Sequence, residues 1–126
     1  VTPEPVIVIN QEWEINRLFY PFVLQIDGVW LMWYGSYRSD SDVMRTSLGL
    51  AVSHDGITWQ KSPVNPVFGP DESRRWESHF TTSHTVLRIK DGALRIWYAT
   101  RPAPPFNHKY FAIGSAEWDS CPCDPS

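Results

Sequence analysis

The side chains able to do acid–base work in this chain come in a repeated pattern. Trp13-Glu14 near the start is matched by Trp76-Glu77 further along. A carboxyl group beside an indole can lend a proton to a leaving oxygen or take one from water, so Glu77 is a candidate general acid and Glu14 a second catalytic candidate. The duplication equally fits a plainer duty, a linker in which Trp packs and Glu caps backbone N–H groups. Arg38 and Arg101 each follow a Trp-Tyr strand at nearly the same register, where they can hold a hydroxyl pair or a carboxylate, or pair with Glu14 and Glu77. His79 and His84 flank one strand start and, with His108, could form a metal or substrate site at neutral pH. They show no metal-ligand spacing, and neither a metal nor another cofactor is expected. Tyr20 and Trp76 add aromatic surface for stacking, which completes a candidate binding set of Arg38, Trp76, His79, His84, Arg101 and Tyr20 for a polyhydroxylated ligand.

These residues are positioned by elements that occur twice. Ile26-Asp27-Gly28-Val29-Trp30-Leu31-Met32-Trp33-Tyr34-Gly35-Ser36 returns as Lys90-Asp91-Gly92-Ala93-Leu94-Arg95-Ile96-Trp97-Tyr98-Ala99-Thr100. Val23 matches Val86, and Leu48-Gly49-Leu50-Ala51 matches Ile113-Gly114-Ser115-Ala116. Short strands repeating at a period of about 60 residues point to propeller blades, which cannot bury their faces alone and must stack.

Asp27-Gly28 reads as a tight turn between strands 21–25 and 29–36, and His54-Asp55-Gly56 as a second turn between strands 47–53 and 58–61. That is one four-stranded antiparallel meander. The second copy supplies strands at 85–89, 93–100 and 110–115 and then lacks an outer strand. The expected fold is therefore all-β: one domain over 1–126, with blade repeats at about 11–68 and 74–120. Residues 1–10 read as the remnant of an outer strand, because Pro5-Val6-Ile7-Val8-Ile9 precedes Trp13-Glu14 as Asn65-Pro66-Val67-Phe68 precedes Trp76-Glu77. The molecule is either a partial propeller or a ring completed by oligomerisation, with the N-terminal strand of one copy finishing the blade of the next. Strand 29–36 is apolar on both faces, as suits burial between stacked blades, and this makes Trp30, Trp33, Trp97 and Tyr98 core residues first.

In such a meander the Asp-Gly turns gather on one rim, where their acids are hairpin residues. The other rim collects the long segments 10–20, 37–46, 66–84 and 101–109, and with them every candidate named above.

Composition narrows the partners. The formal net charge is −3 with 11 Lys and Arg against 14 Asp and Glu, and the basic residues are scattered, so no nucleic-acid footprint is present. No apolar run approaches the ~20 residues needed to cross a bilayer, and no basic-then-apolar leader begins the chain; a soluble protein of unassigned compartment is expected. Cys121 and Cys123 stand too close together to staple a fold.

The strings 29–36, Leu48-Gly-Leu-Ala-Val-Ser-His-Asp-Gly-Ile-Thr-Trp-Gln-Lys61 and Asn65-Pro66-Val67 resemble a blade of the five-bladed propeller glycoside hydrolases, the group of invertases, levansucrases, arabinanases and mannoside phosphorylases. The resemblance covers nearly all of the chain, roughly two of five blades. It implies a carbohydrate ligand and cleavage or transfer of a glycosidic bond at the long-loop rim by paired acids, one protonating the leaving oxygen and one behind the anomeric carbon. Trp76-Glu77-Ser78 is similar to the general-acid motif of invertase-like members. The starts of the two inner strands, Tyr20-Pro21 and Ser83-His84, carry no acid where that group places one. The alternative reading is a non-catalytic carbohydrate-binding module or inactive scaffold built from oligomerised two-blade units.

Overall fold

The computed structural model describes residues 1–15, 17–40, 43–71, 73, 74, 76, 79–90, 92–101 and 112–120, with the side chains of 38–40, 43, 44 and 80 left aside. Seven strands form in order: β1 Leu18–Ile26, β2 Val29–Asp40, β3 Val43–Ser53, β4 Gln60–Lys61, β5 Phe80–Lys90, β6 Ala93–Arg101 and β7 Ala112–Trp118. Strands β1 to β4 make one antiparallel meander, blade 1; β5 to β7 make a second, blade 2. A single parallel bridge, Thr46 to Phe80, links them into a continuous sheet path. The chain is thus a partial β-propeller, and among the described residues blade 2 has no outer strand.

Turn chemistry sets the hairpins. Asp27 and Gly28 both take positive φ (49° and 82°), the backbone that a two-residue hairpin with native twist requires. Gly92 repeats this at φ 76° and Gly56 at 77°. At the second turn Asp55 Oδ1 accepts from the N–H groups of Ile57 and Thr58, both at 2.8 Å. Those amide bonds, Thr58 first, hold its carboxyl down to about 2.

The core lies between the blades. Leu31, Trp33, Leu48 and Leu50 of blade 1 pack against Val86, Leu94, Ile96 and Tyr98 of blade 2. On the opposite side of blade 1, Met32, Tyr34 and Ala51 form a second cluster with Ile7, Trp13, Leu18 and Trp59. Strand β2 is therefore buried on both faces from Leu31 to Ser36. We call the side of a blade that meets the next blade its front and the other its back. The repeated glycines serve the back faces: a Cβ at Gly49 would stand 2.6 Å from the Tyr34 ring, and one at Gly114 2.6 Å from that of Tyr98. Only glycine admits the tyrosine there.

Parts of the rim segments differ from the sequence reading: residues 18–20 belong to β1 and residues 80–84 to β5. Residues 37–40 and 43–46, within a segment read as a rim loop, instead prolong the β2–β3 ladder through Tyr37↔Thr46, Arg38↔Arg45, Ser39↔Met44 and Asp40↔Val43. The ladder continues because nothing in that run removes a backbone donor, and Tyr, Thr, Val and Met all suit a pleated strand. Residues 1–10 form no strand within the single chain and lie irregularly against blade 1, where Lys61 Nζ donates to Val8 O and to Asn10 Oδ1.

Candidate functional site

Glu14 is buried and saturated. Its Oε1 accepts from Lys61 Nζ at 2.7 Å, from Asn10 N at 3.0 Å and from Gln11 N at 3.1 Å, and its Oε2 accepts from the Tyr34 hydroxyl at 2.6 Å. Burial alone would raise the carboxyl, but the bonds from Lys61, Tyr34 and the two amides outweigh it and hold Glu14 below its usual range. Burial, then the bond to Glu14 and its charge, pushes the Tyr34 phenol far above its ordinary value. Asn65 extends the network, donating from Nδ2 to Tyr34 Oη and Gln11 Oε1 at 3.1 Å while its Oδ1 accepts from Leu50 N at 2.9 Å. Trp13 packs on the same cluster and donates Nε1–H to Gln11 Oε1. The pair Trp13-Glu14 ties the N-terminal segment to blade 1, and neither oxygen of Glu14 is left open for a substrate. Glu77, its partner in the repeat, lies outside the described residues.

His79 and His84 are buried, and His108 lies outside the described residues. His84 Nε2 lies 2.8 Å from the Trp33 carbonyl, so it carries the proton and donates. This bond crosses from β5 to β2, beside the Phe22 ring. Burial holds His84 below its usual value, partly opposed by the Trp33 carbonyl. His79 is buried at the junction of the blades, where its N–H donates to Arg101 O and its carbonyl accepts from Thr46 N, each at 3.2 Å. Trp76 stays exposed nearby, its carbonyl accepting from Thr100 Oγ1 at 2.8 Å. Backbone contacts therefore bring His79 and Arg101 together, with Trp76 close by, while Arg38 sits across the ladder from Arg45 on the other blade.

Tyr20 has a different setting. It holds φ 48° at an irregularity in the β1–β2 ladder between Phe19 and Phe22, and Ser83 repeats this with φ 50° between Thr82 and Thr85. Left-handed backbone at a non-glycine residue is costly and in a β-bulge re-aims a side chain. Tyr20 is 56% exposed and lines an open groove of about 780 Å³. The groove wraps the rim end of β1: Ile7, Val8 and Ile9 come from the N-terminal segment, Arg17, Leu18, Phe19 and Tyr20 from the start of β1, Tyr37 from β2, Thr46 from β3 and Thr82 from β5. Phe19 meets Tyr20 edge-on at 5.4 Å and Tyr37 at 5.5 Å, and the Arg17 guanidinium lies over the Tyr37 ring at 5.5 Å. Phe19 and Tyr37 were not among the sequence candidates; the aromatic run Leu18-Phe19-Tyr20 ahead of Pro21 was the available signal.

No protein-family model matches the chain, and no curated protein matches it in sequence. Solved structures do. A Parabacteroides distasonis protein whose name assigns it as a glycoside hydrolase superposes with TM-score 0.68 at 23% identity, over 86% of this chain and 31% of its own. A Bacteroides thetaiotaomicron protein whose name assigns it as a glycosidase gives TM-score 0.68 at 25% identity over the same shares, 86% and 31%. A structure described with the GH130 family of mannoside phosphorylases, among glycoside hydrolases that target β-1,2 mannosidic linkages in Candida mannan, gives 0.64 at 23% over 82% and 30%. The chain spans about a third of the length of these proteins. What it shares with them is the fold, two consecutive blades of a β-propeller of the glycoside-hydrolase type.

Proposed function

We propose that this chain contributes two blades to a carbohydrate-active propeller and that sugar binds in the rim groove beside Tyr20. The observation that carries the reading is that groove: a bulge in the innermost strand turns an exposed tyrosine into it, beside Phe19, Tyr37 and Arg17. Aromatic faces stack on the apolar faces of sugar rings, and guanidinium and hydroxyl groups take the ring oxygens. The blade likeness to glycoside hydrolases and mannoside phosphorylases supports the same ligand class. Glycosidic cleavage or transfer needs a proton at the leaving oxygen, and in this proposal Glu77 supplies it, since Glu14 is occupied. Trp76 precedes that acid in the chain, and the backbone of Arg101 meets that of His79, two residues beyond it. Assay on a panel of furanosides and mannosides tests the reaction: turnover abolished in Glu77→Gln supports it, and no turnover on any substrate overturns it.

A second reading, non-catalytic carbohydrate recognition by oligomerised units, draws on two observations. No carboxylate lines the groove among the described residues, and β7 has no partner along its outer edge among them. Strand exchange between copies would complete that blade. Glycan binding without hydrolysis, from a species heavier than one chain, supports this second reading.

A further inference from the structure

From the charge of the groove we infer that its ligand is an acidic sugar, a uronate-bearing oligosaccharide whose carboxylate is taken by Arg17; this inference rests on the reading of the groove as a carbohydrate site. Arg17 is the charged side chain of the described lining, and it is exposed. Among the described residues it makes no ion pair, and its one recorded partner is the Tyr37 ring at 5.5 Å. The rest of the lining is apolar or carries hydroxyls, from Tyr20, Tyr37, Thr46 and Thr82. A cation without a carboxylate, held at the rim of a largely apolar groove, fits an anionic ligand. A neutral sugar would offer the guanidinium only neutral oxygens, which are weaker acceptors than a carboxylate.

The geometry is prepared before binding. Ser36 Oγ donates to Arg17 O at 2.7 Å and Ile15 N to Tyr37 O at 3.2 Å, so the backbone just ahead of β1 is tied to β2 at Ser36 and Tyr37. The Arg17 guanidinium lies over the Tyr37 ring, and a guanidinium can meet a carboxylate through two parallel N–H bonds. Tyr20, three residues on and within β1, offers its ring to the sugar carrying that carboxylate. Guanidinium on carboxylate and aromatic ring on pyranose are complementary contacts.

Titration calorimetry with matched oligosaccharides of equal length tests the inference, using galacturonate against galactose, mannuronate against mannose, and glucuronate against glucose at low salt. At least one uronate is expected to bind about tenfold or more tightly than its neutral counterpart. That advantage should fall with added salt, vanish in Arg17→Gln and survive in part in Arg17→Lys, with each variant's far-UV spectrum unchanged. Tyr20→Ala should weaken acidic and neutral ligands alike. Equal binding of both members of every pair, or an acidic preference that persists in Arg17→Gln, overturns the acidic-sugar inference and leaves the carbohydrate reading standing. Absence of binding to all six ligands overturns both.

Discussion

The Tyr34 hydroxyl donates to Glu14 at 2.6 Å across the back of blade 1, and Lys61 meets the other oxygen of the same carboxylate at 2.7 Å. Three segments distant in sequence, the N-terminal linker, β2 and β4, meet on one side chain. Removing one partner of a buried charge pair leaves the other uncompensated. Glu14→Ala should therefore lower stability by about 3 kcal/mol. Glu14→Gln, which keeps an acceptor for Tyr34, should lose less. Denaturant midpoints at pH 7 check this, and equal losses in the two variants would contradict the role assigned to the charge.

Acid should loosen the junction of the blades before it reaches the carboxylates. His84 has a lowered value in the folded chain, and its buried Nδ1 has no hydrogen-bond partner among the described residues. Between its folded and unfolded values the unfolded chain binds more protons, so stability is full above about pH 6.5 and declines as pH falls. Glu14, also lowered, adds a second loss of the same sign below its ordinary value. Melting temperature measured from pH 7.5 to 5 should drop in the parent and drop less steeply in His84→Gln. A parallel slope in both would remove His84 from the account.

The two tyrosine–glycine contacts predict matched behaviour in the two blades. A methyl group at Gly49 or Gly114 would press within 2.6 Å of a packed phenol ring. Overpacking of this kind costs about 1–3 kcal/mol. Gly49→Ala and Gly114→Ala should both fall in that range by thermal or chemical unfolding, while Gly35→Ala, which would strike Phe19 at 2.5 Å, should in addition disturb the groove. Tyrosine fluorescence or ligand binding reports the extra effect.

Equivalent residues in the repeat should respond unequally where their surroundings differ. Trp33 is 0% exposed under blade 2, whereas Trp97, its counterpart on the front of blade 2, is 36% exposed. Leu48 and Ile113 form a second such pair, at 0% and 69%. Trp33→Ala should cost about 3–5 kcal/mol, while Trp97→Ala should cost about 1 kcal/mol or less. Binding of a hydrophobic dye, read by fluorescence, should fall in Trp97→Ser and Ile113→Ser.

The parts legible in the sequence are those governed by local chemistry. Asp27-Gly28 and Asp55-Gly56 announced their hairpins because positive φ and side-chain acceptance are properties of those residue pairs. The two-sided apolar run of β2 announced burial between layers, and Leu31 to Ser36 are buried. The hidden parts depend on distant partners. Nothing beside His84 in the chain signals that Trp33, on another strand, waits for its proton. The groove was equally unreadable as a unit, because its walls come from residues 5–9, 17–20, 37, 46 and 82. Tyr20 was nameable as an aromatic at a strand start, but the bulge that turns it is a property of the β1–β2 register.

The unlike faces of a blade give stacking a direction. Tyr98, over Gly114, belongs to the back that closes on blade 1, whereas Trp97, Ile113 and the Arg95–Glu117 ion pair stand on the front. Within this chain a front meets a back, with Trp33 and Leu48 of blade 1 packed against Tyr98 of blade 2. A further blade stacked on the front of blade 2 would repeat that order by presenting its back.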